Sequence, residues 1–266
     1  MVGARHLLAA IRPRPSWRRL AGVLAVLVAM PVAAMTFEAA PPLLYLGGSV
    51  VPSDWAAWQE AMGRYGNRID TVVFHDSGGG DSTAGRRIGY DLRKRKLNTV
   101  VSGRCSSACA NMFLGGVERQ FATAGNTPTV LGYHGSYNKI TKAMNTKRTA
   151  DYFLDMTGGK MSEEFVERFI RLENRAGLLR FYHPDQLLQP GQPLALLCKG
   201  DEDRSRRLEQ CEKLDGVDAR DKGVVTSWQT RDVGKPTPPE KGLVTVRRWA
   251  DKEAPVSGEI QPAPAN

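Results

Sequence analysis

Apolar residues recur along this chain in two rhythms that alternate. Leu43-Leu44-Tyr45-Leu46-Gly47-Gly48-Ser49-Val50-Val51 is a nearly continuous apolar run and predicts a buried strand. Pro52-Ser53-Asp54 then marks a helix start, with Trp55, Trp58, Ala61 and Met62 at helical spacing. Thr71-Val72-Val73-Phe74 predicts a second buried strand. Residues 82–96 predict an amphipathic helix, with Ala84, Ile88 and Leu92 on one face and arginines opposite. Thr99-Val100-Val101 is the next strand, followed by an apolar helix that starts near Ala108 and includes Met112, Phe113 and Leu114. Gln120-Phe121-Ala122-Thr123 reads as a short strand, and Thr129-Val130-Leu131-Gly132-Tyr133 as another that ends at His134.

Strands alternating with helices imply βαβ crossovers and a largely parallel sheet, an α/β fold with flanking helices. Such sheets place their ligand sites at the carboxyl ends of the strands. Beyond His134 the pattern turns helical: residues 146–156 and 161–175 predict two helices separated by Gly158-Gly159. Tyr182-His183-Pro184-Asp185 predicts a turn that opens a short helix. From residue 214 the composition shifts to charge, Pro and Gly. Gly242-Leu243-Val244-Thr245-Val246 is a candidate late strand, and residues 254–266 read as disordered.

The amino terminus has its own pattern. Arg12, Arg14, Arg18 and Arg19 precede the apolar run Leu20–Met30, and Pro31 and Val32-Ala33-Ala34 follow. This is the layout of a secretory signal peptide. The run is shorter than the ~20 residues of a spanning helix, so cleavage is favoured over a membrane anchor. The expected organisation is a signal over 1–34, a domain over 35–213 and a polar, largely disordered extension over 214–266. The protein would be periplasmic or extracellular, touching a membrane only if the signal stayed uncleaved.

Export changes the charge argument. The 266 residues carry 37 basic and 28 acidic side chains, a formal +9, but five arginines lie in the leader. Without them 32 basic face 28 acidic residues, a net +4. That is no case for nucleic-acid binding, and no basic run interleaved with aromatics appears. The four cysteines, Cys105, Cys109, Cys198 and Cys211, would then meet an oxidising space. Cys198 and Cys211 bracket a very polar loop, and a disulfide there is worth about 3 kcal/mol in the chain-entropy picture. Cys105 and Cys109 pair by elimination. Zinc is the rival, but no Cys-x-x-Cys pair or neighbouring histidine supports it. No cofactor or metal is called for.

The chemistry concentrates at three strand ends. Asp76-Ser77-Gly78-Gly79-Gly80-Asp81-Ser82-Thr83-Ala84-Gly85 follows the second strand, Gly103-Arg104-Cys105-Ser106-Ser107-Ala108-Cys109 the third, and His134 ends a later one. Read singly, a glycine run is a turn, a serine before a helix is a cap and a lone histidine is a core residue. Together they are the parts of serine acyl-transfer chemistry. His75 reads as a packing residue and His183 as part of a turn.

The ordered set resembles the Clp protease/crotonase superfamily, and within it the Clp-protease-like serine peptidases. The family loop Asn-Ser-Pro-Gly-Gly-Ser-x-x-Ala-Gly is matched from Asp76 to Gly85, with Gly in place of Pro. Ser107, after Gly103, takes the place of the family serine, and His134 that of the family histidine. The resemblance runs from about Leu43 to Leu188. It implies a Clp/crotonase-like fold, Ser107 as nucleophile, His134 as general base, and an oxyanion hole built from Ala108 with Gly79 or Gly80.

The family acid has no clear counterpart: Glu173 fits by motif order and Asp185 by spacing. A variant chemistry with a lysine base would draw on Lys139, Lys142 or Lys160. The leading expectation is an exported serine hydrolase acting on peptides. The alternatives are a non-catalytic binding or scaffold protein with this fold and, less favoured by export, a coenzyme-A-binding crotonase-like enzyme. Oligomerisation is compatible with the fold, but a partnership with a cytosolic ATPase is not compatible with export.

Overall fold

A computed structural model describes residues 34–123, 129–137, 146–174, 176–188, 190–200 and 208–234. The signal expected over 1–34 lies outside them except for Ala34. The strand expected over 242–246 and the tail over 254–266 also lie outside them.

The chain runs β1 (Thr36–Ala40), β2 (Leu43–Val50), α1 (Asp54–Tyr65), β3 (Thr71–Gly80), α2 (Ser82–Lys94), β4 (Asn98–Ser106), α3 (Ala108–Leu114), β5 (Arg119–Phe121) and β6 (Val130–Tyr133). It continues through α4 (Thr146–Met156), α5 (Glu163–Ile170), β7 (Leu178–Tyr182), β8 (Ala195–Cys198) and β9 (Glu212–Lys213). One sheet holds all nine strands in the spatial order β1-β2-β3-β4-β6-β7-β8-β9, with β5 also paired to β4. The expected α/β architecture with βαβ units and flanking helices is present. Its parallel part is β2, β3, β4, β5 and β6. The sheet as a whole is mixed, because β1 and then β7, β8 and β9 add on antiparallel.

The helices form where the apolar spacing requires them. Trp58, Ala61 and Met62 of α1 and Ala84, Ile88 and Leu92 of α2 enter one core with Leu46, Phe74 and Val101 of the sheet. Trp58 donates its Nε1–H to Asp91 Oδ2 at 2.7 Å, which satisfies a buried indole and ties α1 to α2. Asp81 caps α2 by accepting the Ala84 N–H at 2.8 Å. The glycine run expected as a loop is the last part of β3. Ser49 pairs with Gly79 and Val50 with Gly80. Gly80 is required there, since a Cβ would stand 2.0 Å from the Val50 carbonyl oxygen.

Two expectations are corrected. The helix expected to Arg175 stops at Ile170, and residues 171–174 form a turn that feeds β7. The packed domain also runs past residue 213. Leu214, Ala219, Val224 and Val225 are buried in the main core. Arg119 donates to the carbonyls of Val224 and Gly223 at 2.9 and 2.8 Å, so residues 214–234 are part of the fold. The charged residues there face out while a few aliphatics face in, which composition averaging hides.

Both cysteine pairs are bridged, Cys105 to Cys109 with Cα atoms 5.3 Å apart and Cys198 to Cys211 at 4.5 Å. Among the described residues no helix is long and apolar enough to cross a membrane.

Candidate active site

β4 ends at Ser106, and the chain turns at once into α3. Ser107 is the turning residue, with φ 57° and ψ −123°. A non-glycine residue in the left-handed region costs about 1–3 kcal/mol, so the surroundings must hold it. They do so from two sides. The Ser107 N–H donates to the Gly132 carbonyl of β6 at 2.8 Å, and the Ser107 carbonyl accepts the Asn111 N–H at 3.0 Å. The Cys105–Cys109 bridge spans the same turn. The serine side chain makes no capping bond, so its Oγ is not spent on the helix. This is the geometry of a nucleophile elbow, a strand-to-helix turn that presents one side chain.

Gly79 packs directly against the elbow. It has φ +89°, and a Cβ there would lie 2.5 Å from Ser106 O and Ser107 Cβ, and 2.8 Å from Ala108 N. Only a residue without a side chain allows that approach. The Gly79 N–H donates to Ser77 Oγ at 3.2 Å. Ala108 is fully buried as the first residue of α3.

His134 follows β6, half-buried, with its ring stacked on Tyr137 at 5.7 Å. Burial lowers its pKa below the ordinary 6.5, and the Gly135 backbone partly offsets this. Its Nδ1 is nonetheless buried without a well-formed hydrogen bond.

Ser107 and His134 line the same two cavities. One, of about 250 Å³, reaches past Gly78, Arg104, Gly132 and Arg180. The other, of about 150 Å³, reaches past Gly80, Ser82, Asn111 and Tyr137. The two residues thus form the saddle of one cleft at the carboxyl ends of β3, β4 and β6. Among the described residues no hydrogen bond joins the Ser107 side chain to His134, and the His134 Nδ1 atom is buried without a well-formed one. Gly79 stands against Ser107, and Gly80 lines the second cavity.

Among the described residues no carboxylate lines either cavity. Asp185 has its side chain 89% exposed and lies 3.9 Å from His183, not at His134. His183 itself is buried at the start of the short 3-10 turn, its Nε2 2.7 Å from the Trp228 carbonyl oxygen. Glu173 is exposed in the turn after α5. That turn does approach the cleft, because the Tyr137 hydroxyl donates to the Leu172 carbonyl. Asn174, in the same turn, accepts the Ala176 N–H at 3.0 Å on its Oδ1. Of the lysines considered as a base, Lys160 lies against Gly223, and Lys139 and Lys142 are outside the described residues. His75 packs its ring on Gly47, where a Cβ would be 2.4 Å away, and burial lowers its pKa.

Sequence reasoning missed Arg104, Asn111, Tyr137 and Arg180. Asn111 had a readable signal, since it sits four residues after Ser107 on a helix. The arginines had none, because only the sheet register brings β4 and β7 to one cleft.

No protein-family model matches the chain, and no curated protein matches it either. Solved structures similar to the chain include the following two. A serine-to-alanine mutant of a membrane-bound stomatin-specific protease is 13% identical, with a TM-score of 0.39, covering 53% of this chain and 72% of that one. A mutant of ClpP1 from Listeria monocytogenes is 16% identical, with a TM-score of 0.43, covering 69% of this chain and 87% of that one. The likeness is one of fold, and the site residues rest on the geometry above.

Proposed function

We propose that the cleft is the active site of a serine hydrolase, a peptidase, with Ser107 as nucleophile and His134 as general base. The observation that carries this reading is the strained Ser107 elbow, whose side chain is left uncapped on the cleft shared with His134. Strained backbone of this kind clusters at functional sites. In the proposed reaction Ser107 Oγ bonds to the substrate carbonyl carbon while its proton passes to His134. The negative oxygen of the tetrahedral intermediate is received by the Ala108 N–H and by Gly79 or Gly80. Donors of this kind are worth about 3–4 kcal/mol each. For Gly79 the substrate oxygen replaces Ser77 Oγ as acceptor. His134 then returns the proton to the departing amine, the C–N bond breaks, and water cleaves the acyl-serine ester by the same steps. The two disulfides are in keeping with an exported protein working in an oxidising compartment.

A second reading, a binding protein that keeps the fold without turnover, is favoured by one observation. His134 Nδ1 is buried without a well-formed hydrogen bond, and among the described residues no acid lines the cleft to orient the imidazole. Incubating the full chain with a mixed peptide library separates the two. Cleavage that falls about 10³-fold or more in Ser107→Ala, and comparably in His134→Ala, supports the hydrolase. Peptides that bind without any Ser107-dependent cleavage establish the binding protein instead.

A further inference from the structure

The larger cavity beside Ser107 has a charge asymmetry that acyl transfer itself does not need. Arg104 and Ser106 project from β4 onto the face opposite the core, since Cys105 between them is fully buried. The sheet register places Ser106 opposite Gly132 and Gly132 opposite Arg180, so one row of three strands runs from the elbow to a guanidinium. At the usual strand spacing, Arg180 stands about 10 Å across the sheet from Ser106.

The floor between them is cleared by glycine. A Cβ on Gly132 would lie 2.7 Å from Ser106 Oγ, and one on Gly78 would lie 3.3 Å from Arg104 Nη2. Side chains at either place would crowd the space the arginines face. Arg104 is exposed, and it forms no ion pair among the described residues. Arg180 is half-buried on the opposite wall, beside the Tyr182 phenol. Among the described residues neither cavity has an aspartate or glutamate in its lining. A guanidinium is the side chain that best matches a carboxylate, through two parallel hydrogen bonds.

We infer that this cleft selects substrates carrying a carboxylate about three residues from the bond cut, held between Arg104 and Arg180. The spacing follows from the 10 Å distance and the roughly 3.3 Å rise of an extended peptide. The carboxylate has two sources, an acidic side chain within the peptide or the free carboxyl terminus. This inference rests on the proposed hydrolase site for its direction of use, while the binding it describes does not require turnover.

The test uses the full chain and paired peptides. One pair differs by Asp against Asn two to four residues from the cleaved bond, on either side. A second pair differs by a free against an amidated carboxyl terminus. Affinity is read by fluorescence anisotropy on Ser107→Ala, and kcat/KM on the wild type.

The carboxylate member of at least one pair is expected to lead by about tenfold or more, as one charge-assisted contact implies. Which pair shows the preference identifies the source. The Asp-to-Asn or acid-to-amide ratio should collapse toward unity in Arg104→Gln/Arg180→Gln. It should survive in Arg180→Lys and turn toward lysine-bearing peptides in Arg104→Glu/Arg180→Glu. Thermal unfolding of each variant confirms that the fold is kept.

Equal affinity and equal turnover for both members of both pairs would overturn the inference while leaving the hydrolase standing. So would failure of Ser107→Ala to bind any of the peptides. A carboxylate preference in binding, without cleavage by the wild type, would sink the hydrolase reading and leave this one intact.

Discussion

Ser107 and His134 are each held by their surroundings in a state that an isolated residue would avoid. Ser107 sits in the left-handed region at φ 57°, and His134 is buried enough to resist protonation. The second effect has a readable consequence for pH. A general base must be neutral, and burial lowers the pKa of His134 in the folded protein, so the neutral form persists to more acidic pH than usual. The acid limb of kcat/KM is therefore expected to fall below pH 6.5, and a pH profile on a neutral peptide reads it. A limb at or above 6.5 would show either that another group limits the reaction or that a carboxylate supports His134. That both residues border one cleft was legible in the sequence, because a serine before an apolar helix and a histidine at a strand end are local signals. An acid beside them was not. Glu173 and Asp185 were candidates by order and spacing alone, and the structure places Asp185 beside His183 and Glu173 in the solvent.

The elbow as an element depends on three neighbours: Gly79 on β3, Gly132 on β6 and the bridge from β4 into α3. The Cys105–Cys109 bridge closes the turn around Ser107 itself. Replacing both cysteines by serine is expected to cost about 2 kcal/mol of stability from the short loop alone. It should also slow acylation of Ser107, because the strained turn loses a constraint. Denaturant unfolding and a serine-directed probe measure the two effects. Unchanged acylation in a folded double variant would show that β3 and β6 hold the elbow unaided. The elements that build the cleft floor were legible as far as β6, where hydrophobic runs and turn residues alternate cleanly. Strands β7 and β8 were not. They are five and four residues long, and the first has Arg180 at its centre. Their pairing is decided by the antiparallel register with β6 rather than by local pattern.

Across the whole molecule, the segment after residue 213 changes from an appendage to a wall of the domain. Arg119 is buried, and burial lowers its pKa to about 10. Its guanidinium is satisfied by the carbonyls of Gly116, Gly223 and Val224. Trp228 stacks on Phe121 and offers its carbonyl to His183. Ending the chain at residue 213 removes Val224 and Val225 from the core and leaves the Arg119 charge buried without two of its acceptors. The expected loss is at least about 5 kcal/mol, enough to unfold most domains of this size. Thermal unfolding of that truncation would contradict the account if its midpoint matched that of the full chain. The cleft, the bridged elbow and the sealed core all bear on the proposal that Ser107 is poised as a nucleophile. Treating the full chain with a fluorophosphonate and locating the adduct by tandem mass spectrometry tests it most directly. The account predicts one stoichiometric adduct on Ser107, lost in Ser107→Ala and nearly lost in His134→Ala. No adduct, or an adduct on another serine that persists in Ser107→Ala, would contradict it.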